Sequence, residues 1–166
     1  MKIVIVGCGR VGSVLAEIFD RAGHQVVIVD LTTRAFDRLP SDFRGSAVRG
    51  NGTDEDVLRR AGAQDADIFL ALTEGDNRNI MATQVAVEHL GAKRVVAKVN
   101  DPVRAAAYAD LGIPALCRTN ILVDGLLAFL GQPVEPRPAV ISPAAEHAAT
   151  DGHHHHARAP AAAREA

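Results

Sequence analysis

The chain has 166 residues, 48% of them hydrophobic and 23% charged, with two cysteines and a formal net charge of −2. A chain of this size buries a core without covalent help, so a disulfide-stapled secreted scaffold is excluded and the two thiols fit a reducing cytoplasm. Near-neutral charge, with Lys and Arg scattered singly, excludes the basic stripe that a nucleic-acid binder needs. Met1-Lys2 precede only Ile3-Val4-Ile5-Val6 before a glycine, too short a run for a signal peptide. No stretch approaches the roughly 18 apolar residues of a membrane span, so the chain is expected not to insert.

Short runs of β-branched residues recur at Lys2 to Val6, Gln25 to Val29, Ser46 to Val48, Asp67 to Leu72 and Arg94 to Val99, with helical patterns between them. Val26-Val27-Ile28-Val29 and Ile68-Phe69-Leu70-Ala71-Leu72 lack polar alternation, as strands covered on both faces do. The fold class is therefore α/β, a Rossmann-like, doubly wound parallel sheet. After Gly9, residues Val11, Val14, Leu15, Ile18, Phe19 and Ala22 are expected to form the inward stripe of a helix that Gly23 stops. Thr53, followed by Asp54, Glu55 and Asp56, is expected to cap a helix running to about Ala61-Gly62. Asp101-Pro102 opens another, with Val103, Ala106, Ala107 and Leu111 facing inward and Gly112 closing it.

Asn120 to Leu130 carries Ile121, Leu122, Val123, Leu126, Leu127, Phe129 and Leu130, which leave almost no polar face. At about 25 cal/mol per Å² of apolar area, leaving such a helix wet forfeits several kcal/mol, so it reads as an oligomer or partner contact. Residues 131–166 turn to Pro133, Pro136, Pro138 and Pro143 and then to an Ala-rich stretch, and are expected to be a disordered tail. The run His153 to His156 imposes no ligand geometry and reads as solvated, so no metal site is expected.

Gly7-Cys8-Gly9-Arg10-Val11-Gly12 follows the first strand directly and opens the first helix. Gly7 permits the tight turn, Gly9 lets the backbone approach a pyrophosphate, and Gly12 allows close helix-to-strand packing, while the helix N-terminus offers free N–H groups. Asp30 closes the second strand at the spacing of an acid that hydrogen-bonds ribose hydroxyls, and its charge disfavours a 2′-phosphate and hence NADP. Arg10, inside the loop, suits a terminal phosphate, so ATP or ADP fits as well as NAD. Cys8 reads as the small side chain needed between two glycines, Cys117 as a core residue, and His24, His89 and His147 as surface positions. Paired catalytic carboxylates, a Ser-His-Asp order and a P-loop Lys are missing, which points to binding without turnover.

Further segments join these: Gly50-Asn51-Gly52-Thr53-Asp54, Ala66-Asp67, Thr73-Glu74-Gly75-Asp76-Asn77 and Val95-Val96-Ala97-Lys98-Val99-Asn100-Asp101-Pro102. As a set they resemble the nucleotide-binding lobe of the RCK/KTN family, cytosolic regulators of potassium channels and transporters, over residues 1–130. The resemblance implies a ligand-gated regulatory subunit that binds NAD(H), ATP or ADP. It also implies homodimers stacked into a ring on a membrane potassium transporter or channel, at the cytoplasmic face. By the same likeness Gly7, Cys8, Gly9, Arg10, Val11 and Gly12 hold phosphates and Asp30 holds the adenosine ribose. Gly52 and Thr53 lie beside adenine, Thr73 and Glu74 line the far side, and Lys98 reaches in from the fifth strand. Asn51-Gly52 stands where the family more often has Asp-Ala, and Lys98 where Arg is usual. Residues 131–166 are not expected to supply the second lobe common in the family, and the resemblance implies that Asn120 to Leu130 is the family's subunit-pairing crossover helix. The competing expectation is an NAD-dependent oxidoreductase whose chemistry comes from Cys8 or a partner domain.

Overall fold

The computed structural model describes residues 1–135 and 140–141. Six parallel strands form the body of a sheet whose seventh strand, antiparallel, joins at one edge: β1 (Lys2–Val6), β2 (Gln25–Asp30), β3 (Ser46–Arg49), β4 (Ile68–Ala71), β5 (Val95–Val99) and β6 (Ala115–Cys117). Helices α1 (Arg10–Arg21), α2 (Glu55–Arg60), α3 (Asp76–Glu88) and α4 (Pro102–Asp110) alternate with them, and α5 (Arg118–Phe129) follows β6. A 3-10 turn at Thr33–Arg38 lies between β2 and β3. The strand order is β3-β2-β1-β4-β5-β6, so the chain runs outward from β1 to β3 and then crosses back to β4. This doubly wound, Rossmann-like topology opens a crevice beyond the carboxyl ends of β1 and β4, where the direction of winding reverses.

Both faces of the central strands are buried, and alternate residues feed separate cores. Val4, Val6, Val27, Val29 and Phe69 pack with Leu58 of α2, Ala82 and Ala86 of α3, and Leu90. On the other face Ile3, Ile5, Val26 and Ile28 meet Ala16 of α1, with Leu15 and Phe19 packed alongside.

The helix faces differ from the expectation. In α1 the buried residues are Gly12, Ser13, Ala16 and Asp20, whereas Val11, Val14 and Ile18 are exposed. In α4 it is Ala105 and Ala109 that are buried, with Tyr108 packed beside them, while Val103, Ala106, Ala107 and Leu111 face out. Close approach of a helix to the sheet selects small side chains, so Val11, Val14 and Ile18 sit on the outer surface while Leu15 and Phe19 pack, as expected, along the flank of the core. Thr53 does not cap α2: Asp54 does, its carboxylate accepting from the Asp56 and Val57 amides at 2.9 and 3.2 Å. Asp101 caps α4 as expected, accepting from the Val103 amide at 2.9 Å. Gly23 and Gly112, at φ of +80° and +81°, follow α1 and α4 in the left-handed conformation.

Two elements had no clear signal in the sequence. Helix α3 buries Asn79, Ile80, Ala82, Thr83 and Ala86, a face too polar and too small to read as an apolar stripe. Strand β6 has three residues. Val140 and Ile141, within the expected tail, form a two-residue strand, β7, antiparallel to β6, pairing Leu116 with Val140 and Ala115 with Ile141. The remainder of the tail from 142 onward, with His153 to His156, lies outside the described residues. Among the described residues no helix is long and apolar enough to cross a membrane.

At the opposite end of the sheet from the crevice, Asp67 accepts from the Lys2 amide at 2.8 Å and from Lys93 Nζ at 2.7 Å. The Lys93 bond, and after it the Lys2 amide, hold the Asp67 carboxyl down at about 2. Because the folded-state value lies below the ordinary 3.8, this clip stabilises the fold fully above about pH 4 and is lost as the pH falls through about 2. Wild-type chain should therefore lose stability more steeply than Asp67→Asn across that acid range in urea titrations followed by circular dichroism. Equal acid slopes would contradict the clip.

Candidate functional site

The crevice is shaped by backbone that tolerates no side chains. Gly7 sits at φ +105°, and a Cβ there would lie 3.0 Å from the Leu72 carbonyl carbon and the Thr73 nitrogen. A Cβ on Gly12 would lie 2.0 Å from the Gly7 carbonyl oxygen, so α1 can approach β1 only as glycine at that position. Gly9 differs, because nothing lies within 4 Å of where its Cβ would be: the backbone there faces open space. It is also the N-terminal cap position of α1, with no side-chain cap, and the first amides of the helix have no intrahelical acceptor. The loop thus presents donors and the positive end of the helix dipole to the crevice.

Asp30, at the end of β2, anchors that loop. Its Oδ2 accepts from the Cys8 amide at 2.8 Å, and its Oδ1 from the Thr32 amide at 3.0 Å and the Thr32 hydroxyl at 3.3 Å. With two acceptor sites on each carboxylate oxygen, these bonds fill both on Oδ1 and one on Oδ2; the site left open on Oδ2, and the one that the long Thr32 hydroxyl bond can yield on Oδ1, are what the group offers a ligand. The Gly7 amide donates to Val29 O at 2.7 Å, and the Leu72 amide to Val6 O at 2.8 Å, which binds the loop to both neighbouring strands.

On the far side Thr73 and Lys98 are held by a residue that sequence reasoning passed over. Asn79 is fully buried. Its Oδ1 accepts from the Thr73 amide and hydroxyl at 2.9 and 2.7 Å. Its Nδ2 donates to the carbonyls of Thr73 and Lys98 at 3.0 and 2.8 Å. One amide side chain therefore ties the ends of β4 and β5 together, and its only sequence signal lay in the helix that lacked an apolar stripe. Thr53, rather than capping, donates its hydroxyl to Asn51 Oδ1 at 2.9 Å.

Two adjoining cavities result. Gly7, Gly9, Asp30, Gly52, Thr53, Thr73 and Glu74 all line the first, of about 240 Å³, together with Asn51, noted above as a departure from the family's pattern, and with Leu31, Thr32 and Arg78, which the sequence did not single out. The second, of about 450 Å³, is lined by Gly9, Arg10, Val11, Leu72, Glu74 and Lys98, with Arg38 and Arg118 added by the fold. Gly9, Leu72 and Glu74 border both. Gly12 and Cys8 line neither. Gly12 is spent on packing, and Cys8 is fully buried among Ile3, Ile5 and Ala16.

Burial, followed by the nearby Asp30 carboxylate, pushes the Cys8 thiol up to about 11, with Arg38 opposing. The thiolate is the reactive form. Cys8 should accordingly resist iodoacetamide in the native protein at about pH 8 and react only after unfolding, read by mass spectrometry. A native-state adduct would contradict its placement.

Comparison with known proteins agrees with the fold. Residues 3–119 match the model of the TrkA-N domain. The Trk system potassium uptake protein TrkA of Streptomyces coelicolor is 46% identical over 130 residues, covering 78% of this chain and 58% of the relative. The match spans between 22% and 60% of the length of the curated relatives. Among solved structures, the TrkA-N domain of the Escherichia coli inner membrane protein ybaL superposes with a TM-score of 0.69 at 19% identity, covering 78% of this chain and 96% of that one. The RCK domain of GsuK does so with a TM-score of 0.57 at 25% identity, covering 77% and 29%. On the family match and the relatedness to TrkA, this chain belongs to the TrkA-N domain family.

Proposed function

We propose that this chain is the nucleotide-binding lobe of a regulatory subunit of a potassium-uptake system, working at the cytoplasmic face of the membrane on a transporter or channel. The observation that carries the reading is the conjunction of Asp30 and the open backbone at Gly9 in one crevice at the switch point of the sheet. Asp30 is the acceptor for adenosine ribose hydroxyls, and the amides from Gly9 through Gly12 are the donors for phosphate oxygens. Gly52 and Thr53 flank the adenine, Thr73 and Glu74 close the far wall, and Arg10 and Lys98 meet the phosphates beyond Gly9. NAD(H), ATP and ADP share the adenosine diphosphate unit that this arrangement suits.

Non-catalytic binding by this chain is supported by the state of Cys8, one of the two sources, with a partner domain, from which the oxidoreductase alternative draws its chemistry. Its thiol is buried away from both cavities and held protonated, so it offers neither a nucleophile nor a redox centre to a bound ligand.

Self-association is supported by α5. None of its residues is buried, and Ile121, Leu122, Leu126 and Phe129 are all exposed, Phe129 at 87%. A helix so apolar gains most by pairing with a second copy, the arrangement from which a stacked ring on a membrane partner can be built. Regulation then requires two nucleotides to favour two subunit arrangements by different free energies.

Titration calorimetry tests the ligand reading. Asp30→Ala should weaken every adenosine ligand by about 1–3 kcal/mol, the worth of a charged acceptor. An unchanged dissociation constant would contradict the role of Asp30. Sedimentation velocity tests the contact: the wild-type chain should be a dimer, and a Leu126→Glu, Phe129→Glu variant a monomer. A monomeric wild type, or a dimeric variant, would mean that α5 is not the contact.

A further inference from the structure

The loop that follows β3 and walls the first cavity is seated at both ends. A Cβ on Gly50 would collide with Val57 Cγ1, and one on Gly52 with Val6 Cγ1, so the backbone rests directly on α2 and on the end of β1. The Gly50 amide donates to the Asp30 carbonyl at 2.8 Å, which sets the loop beside the carboxylate read above as the ribose acceptor. Asn51, between the two glycines, is exposed and lines the cavity.

The bonds of Asn51 decide which end of its amide is left for a ligand. Its Oδ1 accepts from the Thr53 amide at 3.1 Å and from the Thr53 hydroxyl at 2.9 Å. A backbone N–H can only donate, so the oxygen must be the branch that turns inward, and two donors fill both of its acceptor sites. The Nδ2 group has no hydrogen bond among the described residues. The Asn51 side chain therefore offers donors and no acceptor. An aspartate in the same turn would offer the reverse, a free anionic oxygen.

Resting on the nucleotide reading above, we infer that Asn51 makes the base wall a seat for a purine with an oxygen at its 6-position, so that hypoxanthine nucleotides bind at least as tightly as adenine nucleotides. Adenine carries an amine there, a donor that finds no acceptor on the Asn51 side chain. Hypoxanthine and guanine carry a carbonyl oxygen, which the Nδ2 protons can meet. Two donors set face to face cost more than a missing bond, because each gives up the water it held. The loop cannot draw back from the mismatch while Gly50 and Gly52 lie on Val57 and Val6. Ribose and phosphates are common to both kinds of nucleotide, so Asp30 and the amino end of α1 serve either one.

Calorimetry on the full chain with ADP and IDP, which differ only at the 6-position and in the proton on N1, tests this. The wild-type chain should bind IDP at least as tightly as ADP. Asn51→Asp keeps an oxygen for the Thr53 turn and replaces the donor by an anionic acceptor, so it should shift the ratio toward ADP by about tenfold or more. The ratio is taken within one protein, and any general loosening of the loop by the substitution cancels from it. A wild-type preference for ADP would contradict the inference while leaving the nucleotide site standing. So would a ratio that Asn51→Asp leaves unchanged or moves toward IDP, the last being the mark of an Nδ2 bond to N1 of adenine. If neither nucleotide binds, the nucleotide reading falls and the base preference falls with it.

Discussion

The bond between the Cys8 amide and the Asp30 carboxylate, 2.8 Å long, joins the first strand-to-helix turn to the end of the neighbouring strand. Around it the glycines leave no slack: α1 rests on β1 through Gly12 against the Gly7 carbonyl, and Gly7 itself touches the backbone after β4. The amino end of α1 is therefore aimed by three strands at once, and the crevice has its shape before any ligand arrives. Such preorganisation lowers the ordering cost of binding. It also explains the inert cysteine, because the amide that completes the clamp carries its side chain into the core.

Much of this was legible in the chain because parallel strands buried on both faces leave continuous apolar runs. The five longer strands were bounded to within about one residue by Gly, Asp and Arg. The glycine loop and Asp30 were readable because their spacing is set by one turn and one helix length. What escaped had a common cause, the closeness of helices to the sheet. Where α1, α3 and α4 approach it, the inward positions are, apart from Ile80, small or polar (Gly, Ala, Ser, Thr, Asn and Asp), so hydrophobic periodicity pointed largely to the wrong face or to none. Arg38 and Arg118 escaped for another reason: residues about eighty positions apart share a cavity only through the sheet order, which no local pattern encodes. The cap of α2 was misread by one residue because Thr53 and Asp54 are both good caps, and Asn51 takes the threonine hydroxyl.

The same close packing leaves large apolar side chains outside. Val11, Val14 and Ile18 on α1, Val103 on α4, Leu111 just after it, and Ile121, Leu122, Leu126 and Phe129 on α5 are all exposed. On the proposed reading these surfaces are where a regulator meets other copies and its membrane partner. Arg118 is both the first residue of α5 and part of the basic cavity wall.

The central claim is that Asp30 and the amino end of α1 together grip an adenosine phosphate. A crystal structure of the chain grown with ADP tests it most directly. The account predicts ribose hydroxyls on the Asp30 carboxylate and phosphate oxygens on the amides between Gly9 and Gly12. A nucleotide ordered elsewhere on the protein, with the crevice filled by solvent or by the chain's own side chains, would contradict it.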